Sequence, residues 1–284
     1  MKAFNETSAS LDWHSSDRAA VVGASRQIRE ESAPIVLSLN GVSVAYGERV
    51  VLENITCSFP EGEITAILGP SGCGKSTLLR VLNRTLELVP QARLLLGTVA
   101  FRGQDLHDRD AHPAAIRKRI GLIHQRPVPF PMSILEDVLF GARFHGLLNG
   151  TLSVDYARRY LEQVGLWNEV KDRLRDRADT LSGGQQQRLC LARTLANQPE
   201  VILMDEPCSS LDPAATQQIE ELIVGLKPRY TIVIVTHNLA QAQRISDRAI
   251  FVLAGEIIEQ GPTEEILMRP RVNLTRDFVS GQIG

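Results

Sequence analysis

From Ile35 onward the chain alternates between short apolar runs and longer amphipathic ones. Ile35–Ala45 and Val50–Phe59 are β-rich runs separated by Tyr46-Gly47-Glu48-Arg49, which predicts an antiparallel pair at a domain edge. Ile64–Leu68 is wholly apolar, the pattern of a strand buried on both faces of a parallel sheet. A Gly-rich turn follows it, then a helix predicted over Lys75–Arg84. Arg119–His124 reads as another short strand. From Pro127 to Thr180 the pattern is helical. Ser133-Ile134-Leu135-Glu136 carries a capping box, and Ser153 is placed to cap a helix through Leu166. Val201–Met204 and Thr231–Val235 are two more buried strands. Between them Pro213 suits a first helical position, and Ile219, Leu222, Ile223 and Leu226 form one stripe. Ala249–Leu253 and Glu256–Gln260 flank Ala254-Gly255 as a hairpin. Strands alternating with helices predict an α/β fold: a mostly parallel sheet, an antiparallel β edge subdomain and an inserted helical subdomain at about 127–186.

Residues 1–33 break this pattern. They are rich in Ser, Ala and charges of both signs, with no unbroken apolar core, so they read as a disordered extension rather than a signal peptide. A weak helix between Asp17 and Ser32 fits the same stretch. The folded domain is therefore placed at 34–284. Over the 284 residues, 43% are hydrophobic and 23% charged, ordinary for a globular chain with a sizeable core. The net charge of −2 gives no electrostatic footprint for nucleic acid. No apolar run approaches the ~18 residues of a membrane span. The four cysteines, Cys57, Cys73, Cys190 and Cys208, show no CxxC spacing and fit a reducing compartment.

The chemistry lies at the ends of the buried strands. Gly69-Pro70-Ser71-Gly72-Cys73-Gly74-Lys75-Ser76, with Thr77 next, fits GxxxxGK[ST] between a strand and a helix. The glycines let backbone N–H groups turn toward phosphate oxygens, and the helix start adds partial positive charge. Lys75 would reach the β- and γ-phosphates, and the Ser76 hydroxyl would bind Mg²⁺. Val201–Met204 delivers Asp205 beside that Mg²⁺, with Glu206 one residue further to polarise the attacking water. Cys73, among inward N–H groups and beside Lys75, is expected to be the most reactive thiol. A second helix start, Leu181-Ser182-Gly183-Gly184-Gln185, offers another anion site. One small nucleotide rarely needs two such sites from one chain. The economical reading is a homodimer with each nucleotide between one chain's phosphate loop and the other's second site.

With LSGGQ on the page, the chain resembles the ATP-binding-cassette ATPases over about residues 35–284. The resemblance implies a P-loop NTPase (RecA-like) fold that takes ATP and Mg²⁺. It implies that Tyr46 stacks on adenine and that Gln125 contacts Mg²⁺ and the attacking water. It implies that Ser210, Leu211 and Asp212 belong to a loop crossing the dimer interface, and that His237 contacts the γ-phosphate. The implied catalytic set is Glu206, His237 and Gln125; the implied metal set is Ser76, Gln125 and Asp205.

A narrower resemblance rests on Pro129-Phe130-Pro131-Met132-Ser133-Ile134, Gln185–Cys190, Thr231–Asn238, Arg244–Arg248 and Phe278–Gly284. These are similar to the ATPase subunits of bacterial inorganic-phosphate importers. That family usually has Lys-Pro-Asn where this chain has Arg126-Pro127-Val128, and Thr-Ser-Ala where it has Cys208-Ser209-Ser210. The resemblance implies a peripheral subunit at the cytoplasmic face of the inner membrane. Its partners would be two membrane-embedded permease subunits, fed by an extracytoplasmic phosphate-binding protein. Pro127, Pro129 and Pro131 would keep the segment after Gln125 extended, with Val128, Phe130 and Met132 as the docking residues and Phe130 as anchor. An importer ATPase for another solute, such as an amino acid, stays open. A non-transport ATPase of this family is the further rival; the separation between the motifs leaves no room for a long coiled coil, and a soluble cluster-assembly ATPase fits the same motifs.

Overall fold

The computed structural model describes residues 33–148 and 153–283. The extension predicted at 1–33 and the helix between Asp17 and Ser32 lie outside the described residues, apart from Ala33. Two sheets form the frame. The first has four antiparallel strands in the order β2-β1-β4-β5: β1 Ile35–Tyr46, β2 Arg49–Pro60, β4 Ala92–Phe101 and β5 Gln104–Asp105. The second has six, in the order β10-β9-β3-β8-β7-β6, built from β3 Ile64–Leu68, β6 Ile120–Ile123, β7 Val201–Asp205, β8 Thr231–Val235, β9 Arg248–Leu253 and β10 Glu256–Pro262. Its pairings are parallel except β9 with β10. Every residue of β3 and β8 is buried, which is why both read as unbroken apolar runs.

The helices are α1 Lys75–Leu82, α2 Pro113–Arg119, α3 Ile134–Phe144, α4 Ser153–Gln163, α5 Trp167–Val170, α6 Gly183–Leu195, α7 Pro213–Leu226, α8 Leu239–Ile245, α9 Thr263–Met268 and α10 Asn273–Val279. Helix α1 lies against both sheets. Its Leu78 and Leu79 share one core with Leu37, Leu52 and Phe59 of the antiparallel sheet and with Ile67, Leu203 and Val233 of the parallel one. The two sheets therefore cannot shift without disturbing the helix that begins the phosphate loop's far side.

Several boundaries differ from the sequence reading, each for a local reason. Helix α1 stops at Leu82, because Asn83 leaves helical geometry and Arg84 takes φ 59°. Helix α4 ends at Gln163 rather than Leu166, because Gly165 takes φ 66°. Ser153 is its first described residue. Arg119 ends α2 instead of opening β6; its guanidinium bonds Glu200 at 2.5 Å and lies 4.3 Å from the Phe101 ring centroid. Leu222 is half-buried, so the α7 stripe rests on Ile219, Ile223 and Leu226. Strands β4 and β5 and helices α2, α8, α9 and α10 have no counterpart in the sequence reading. Residues 127–132 hold no helix, and among the described residues the helical region contains α3, α4 and α5.

Candidate active site

Strands β3, β6, β7 and β8 run parallel, so their C-terminal ends meet at one rim, where ligands of open α/β sheets bind. The chain leaves each of these ends through a residue that the sequence reading had singled out.

At the end of β3, residues 69–74 form a loop that enters α1. Gly69, Gly72 and Gly74 take φ of 148°, 79° and 109°, conformations that an L side chain rarely adopts. A Cβ at Gly74 would sit 2.6 Å from Leu52 Cδ2, whereas one at Gly72 meets nothing within 4 Å. The loop is thus pressed on β2 at one point and open at the other. Among the described residues no backbone carbonyl accepts from the N–H groups of Ser76 and Thr77, in the first turn of α1. Lys75 is buried, and its Nζ donates to Gly69 O and Pro70 O, both at 2.8 Å. The ammonium is held over the mouth of its own loop, within reach of any phosphate seated there. The hairpin turn Ala254-Gly255, with φ 49° and 86°, braces the loop: Gly255 N donates to Cys73 O at 3.1 Å and Glu53 N to Gly255 O at 2.9 Å.

At the end of β7, Asp205 Oδ1 accepts a 3.0 Å hydrogen bond from Ser76 Oγ. Burial pushes the Asp205 carboxyl up, opposed by the Ser76 hydroxyl. Glu206 follows with φ 46°, a left-handed conformation that costs a non-glycine residue roughly 1–2 kcal/mol. Its N–H donates to Val235 O at 3.0 Å, so the neighbouring strand holds the strained geometry in place. Two side chains converge on the Glu206 carboxylate. Gln125 Nε2, just past β6, donates to Glu206 Oε2 at 3.2 Å and to Ser209 Oγ at 3.3 Å. His237 Nδ1, just past β8, lies 3.1 Å from the same Oε2. Gln125, Glu206 and His237 thus form one constellation contributed by three strand ends. Ser209 is a member that sequence reasoning did not place there.

Ser76 Oγ and Asp205 Oδ1 are hard oxygen donors beside a phosphate cradle. That donor set fits Mg²⁺, which takes one or two carboxylates plus substrate phosphates and keeps several waters. Tyr46, at the end of β1, is half-buried, and its hydroxyl lies 3.2 Å from Thr77 Oγ1.

The second anion site stands apart. Ser182 caps α6 in a reciprocal box: Gln185 N donates to Ser182 Oγ at 3.4 Å and Ser182 N to Gln185 Oε1 at 3.0 Å. Leu181 is buried, Ser182 and Gly183 are exposed, and a Cβ at Gly183 would meet nothing within 4 Å. Among the described residues no hydrogen bond joins residues 181–185 to the phosphate loop. Asp212 has a local task as well: its Oδ1 caps α7 by accepting from Ala214 N and Ala215 N at 3.0 Å each. Ser210 is exposed and Leu211 half-buried on the same loop.

One expectation changes, and a second gains detail. Cys73 is buried, and burial pushes its thiol up more strongly than Lys75 pulls it down. Cys208 is the one cysteine that is not fully buried, although its own thiol is pushed up to about 11. Phe130, expected as the docking anchor, is partly covered by the chain itself. It is half-buried, with the Arg193 guanidinium 4.1 Å from its ring centroid and Phe140 against its edge at 4.9 Å. The exposed apolar atoms belong instead to Val128, Phe140 and Phe144, at 58%, 49% and 75% exposure. A groove of about 390 Å³ runs between Met132, Glu136, Phe140, Arg143 and Phe144. The signal was present in the sequence: Phe140 and Phe144 are four apart on α3, off the face formed by Ile134, Val138 and Ala142.

The ABC transporter family model matches residues 52–209, more than half of the chain. The Phosphate import ATP-binding protein PstB of Thermotoga maritima is 48% identical over 249 residues, covering 88% of this chain and 99% of that protein. Its counterpart from Desulfitobacterium hafniense is 47% identical over 250 residues, covering 88% and 96%. Among solved structures, a bacterial Atm1-family ABC exporter with ATP bound superposes with a TM-score of 0.74 at 23% identity. The match covers 91% of this chain and 44% of the exporter chain, and it speaks for the fold alone. With the phosphate cradle, the LSGGQ helix start and these matches together, this chain belongs to the ABC transporter family, as one of its ATP-binding proteins.

Proposed function

We propose that this chain is the ATP-hydrolysing subunit of an importer of inorganic phosphate, working as a homodimer bound to two permease subunits. The single observation that carries the hydrolytic part is the convergence of Gln125 and His237 on Glu206, one residue after the Asp205–Ser76 pair. The phosphate part rests on two relatives named as phosphate import proteins that align with nearly their whole length.

On this reading the N–H groups of the phosphate loop and of the α1 start hold the phosphates, and Lys75 swings from its own carbonyls onto them. Bound Mg²⁺ would be held by Ser76 and Asp205, with Gln125 at its edge, and would supply neutralisation of the charge that develops between the β- and γ-phosphates. Glu206 takes the proton of the attacking water as general base. Gln125 and His237 fix the carboxylate from two sides; His237 also faces the γ-phosphate. Tyr46 packs on the adenine face, while its hydroxyl anchors the ring to Thr77. Residues 181–185 of one protomer close over the nucleotide of its partner, which explains a helix start left exposed in the single chain. The loop Ser210–Asp212 would lie between protomers.

No helix among the described residues is long and apolar enough to cross a membrane. In the proposed assembly the permease subunits do the crossing, and this chain sits on their cytoplasmic side at the inner membrane. An extracytoplasmic phosphate-binding protein delivers the solute and touches this chain only through them. Docking falls to Val128, to Phe140 and Phe144, and to the groove beside these two aromatics. The deciding measurement is radiolabelled phosphate uptake in cells lacking this chain and any second copy. Uptake should fall to background and return with the gene. Undiminished phosphate uptake with a defect for another solute would overturn the phosphate reading and leave the ATPase reading standing.

A further inference from the structure

Outside the hydrolytic site, one buried charge stands out. Asp137, on the first turns of α3, is 0% exposed. Its Oδ2 accepts from Phe130 N at 2.6 Å, and both carboxylate oxygens lie 3.2 Å from Arg193 Nη1. The same Nη1 donates to Val128 O at 3.1 Å, and the guanidinium plane covers the Phe130 ring. Two charged side chains from two helices therefore grip the backbone of residues 128–130. Three residues upstream is Gln125, whose amide reaches Glu206. Arg193 sits in the last turn of α6, whose first turn is Ser182–Gln185. A helix of this length is a rod of about 20 Å.

A buried ion pair is a poor source of net stability, because desolvation offsets most of the attraction. What it supplies is geometry: a planar guanidinium fixes direction at several acceptors at once. We propose that Asp137 and Arg193 are positioning residues that lock residues 128–130 to α6, so that a displacement of the docking segment reaches the Ser182–Gln185 helix start. They touch neither nucleotide nor permease. Loss of the lock should leave hydrolysis running while its link to transport weakens. This proposal rests on the importer reading.

The test uses Asp137→Asn, which keeps the shape and removes the charge, and Arg193→Lys, which keeps the charge and removes the plane. The complete importer, with permease subunits and binding protein, is reconstituted in vesicles. Phosphate accumulated per ATP hydrolysed is measured, beside the ATPase rate of the isolated subunit. Both variants should keep the isolated rate and lose about fivefold or more in phosphate per ATP, the scale of an ordinary coupling free energy. In parallel a spin label is placed at Val128→Cys in a Cys208→Ser background of the isolated subunit. Its mobility should rise when Asp137 or Arg193 is changed. An unchanged ratio with unchanged mobility overturns the proposal. So does a parallel fall in hydrolysis and transport at constant ratio, or failure of both variants to fold, since either assigns the pair to stability alone. If the wild-type assembly accumulates no phosphate, the importer reading fails, and the label still decides whether the lock exists.

Discussion

Glu206 occupies a backbone conformation that few side chains tolerate, and the neighbouring strand keeps it there through the bond to Val235 O. Glu206→Gln retains the shape and both neighbours but removes the base. Hydrolysis should fall by about 10²–10⁴, while ATP affinity holds and an ATP-bound dimer accumulates. Steady-state ATPase assays beside size-exclusion chromatography in ATP check this; wild-type turnover would remove Glu206 from its proposed role. The residue types and their strand-end positions were legible in the sequence, because four buried strands each ended in a polar or glycine-rich turn. The burial of Cys73 was not. Sequence shows that Lys75 is two residues away; only the fold shows that desolvation outweighs it. First place therefore passes from Cys73 to Cys208 through access rather than acidity, because Cys208 is the cysteine that is not fully buried. Iodoacetamide at pH 8 should label Cys208 before Cys73, with Cys57 slowest, its thiol being pushed up to about 12. The thiolate fraction of Cys208 grows roughly tenfold per pH unit below its pKa of about 11, so its labelling rate should climb steadily from pH 7 to pH 10. Mass-spectrometric mapping that finds Cys73 modified first would refute the order.

Elements buried on both faces declared themselves, and elements half-exposed did not. Strands β3 and β8 appeared in the sequence with the limits they have in the structure, since both faces are buried and four of the five residues in each are apolar. Strand β4 was missed because its pattern contradicts its role. Leu95 and Leu96 are adjacent and both exposed, at 42% and 69%, and Gly97 interrupts the run. The strand is dictated by its partner instead: β1 pairs with it from Leu37↔Phe101 to Tyr46↔Ala92, with register shifts between Asn40 and Val44. Gly97 lies beside those shifts at φ 91°, and a Cβ there would come 2.5 Å from Gly41 O, a backbone atom that cannot step aside. Gly97→Ala should therefore destabilise by about 1–3 kcal/mol. For a chain of this size each kcal/mol lowers the melting temperature by about 2–4 °C. A thermal melt within a degree of wild type would show that the bulge relaxes freely.

At the scale of the whole molecule, the proposed hydrolytic rim and the proposed docking surface are joined by one short piece of chain. Gln125 reaches Glu206, and three residues later Val128 is at the surface. Val128, Phe140 and Phe144 put three large apolar side chains into solvent on the side of the helical region. The exposure of Phe140 and Phe144 beside one groove marks a surface made to be covered, in contrast to Leu88, which is 67% exposed and does not line that groove. The groove beside them carries Glu136 and Arg143, so its occupant should be an apolar segment with a charge at each end, as a cytoplasmic loop of a permease can provide. If the aromatics are the anchors, truncating them should cost the assembly about 2 kcal/mol or more, roughly a thirty-fold loss of affinity. The double variant Phe140→Ala, Phe144→Ala should keep ATP binding and melt only slightly below wild type, since both rings are largely exposed, while the Phe140 edge contact with Phe130 is lost. It should lose copurification with the permease subunits and lose phosphate uptake. Leu88→Ala removes a comparable exposed side chain elsewhere and should change neither. Phe130→Ala should behave differently again: its ring is held by Arg193 and Phe140, so its loss should lower the melting temperature as well as uptake. Pull-down, melting and uptake are measured on the same four proteins. Full uptake in the double variant, or an equal defect in Leu88→Ala, would remove the docking surface from α3.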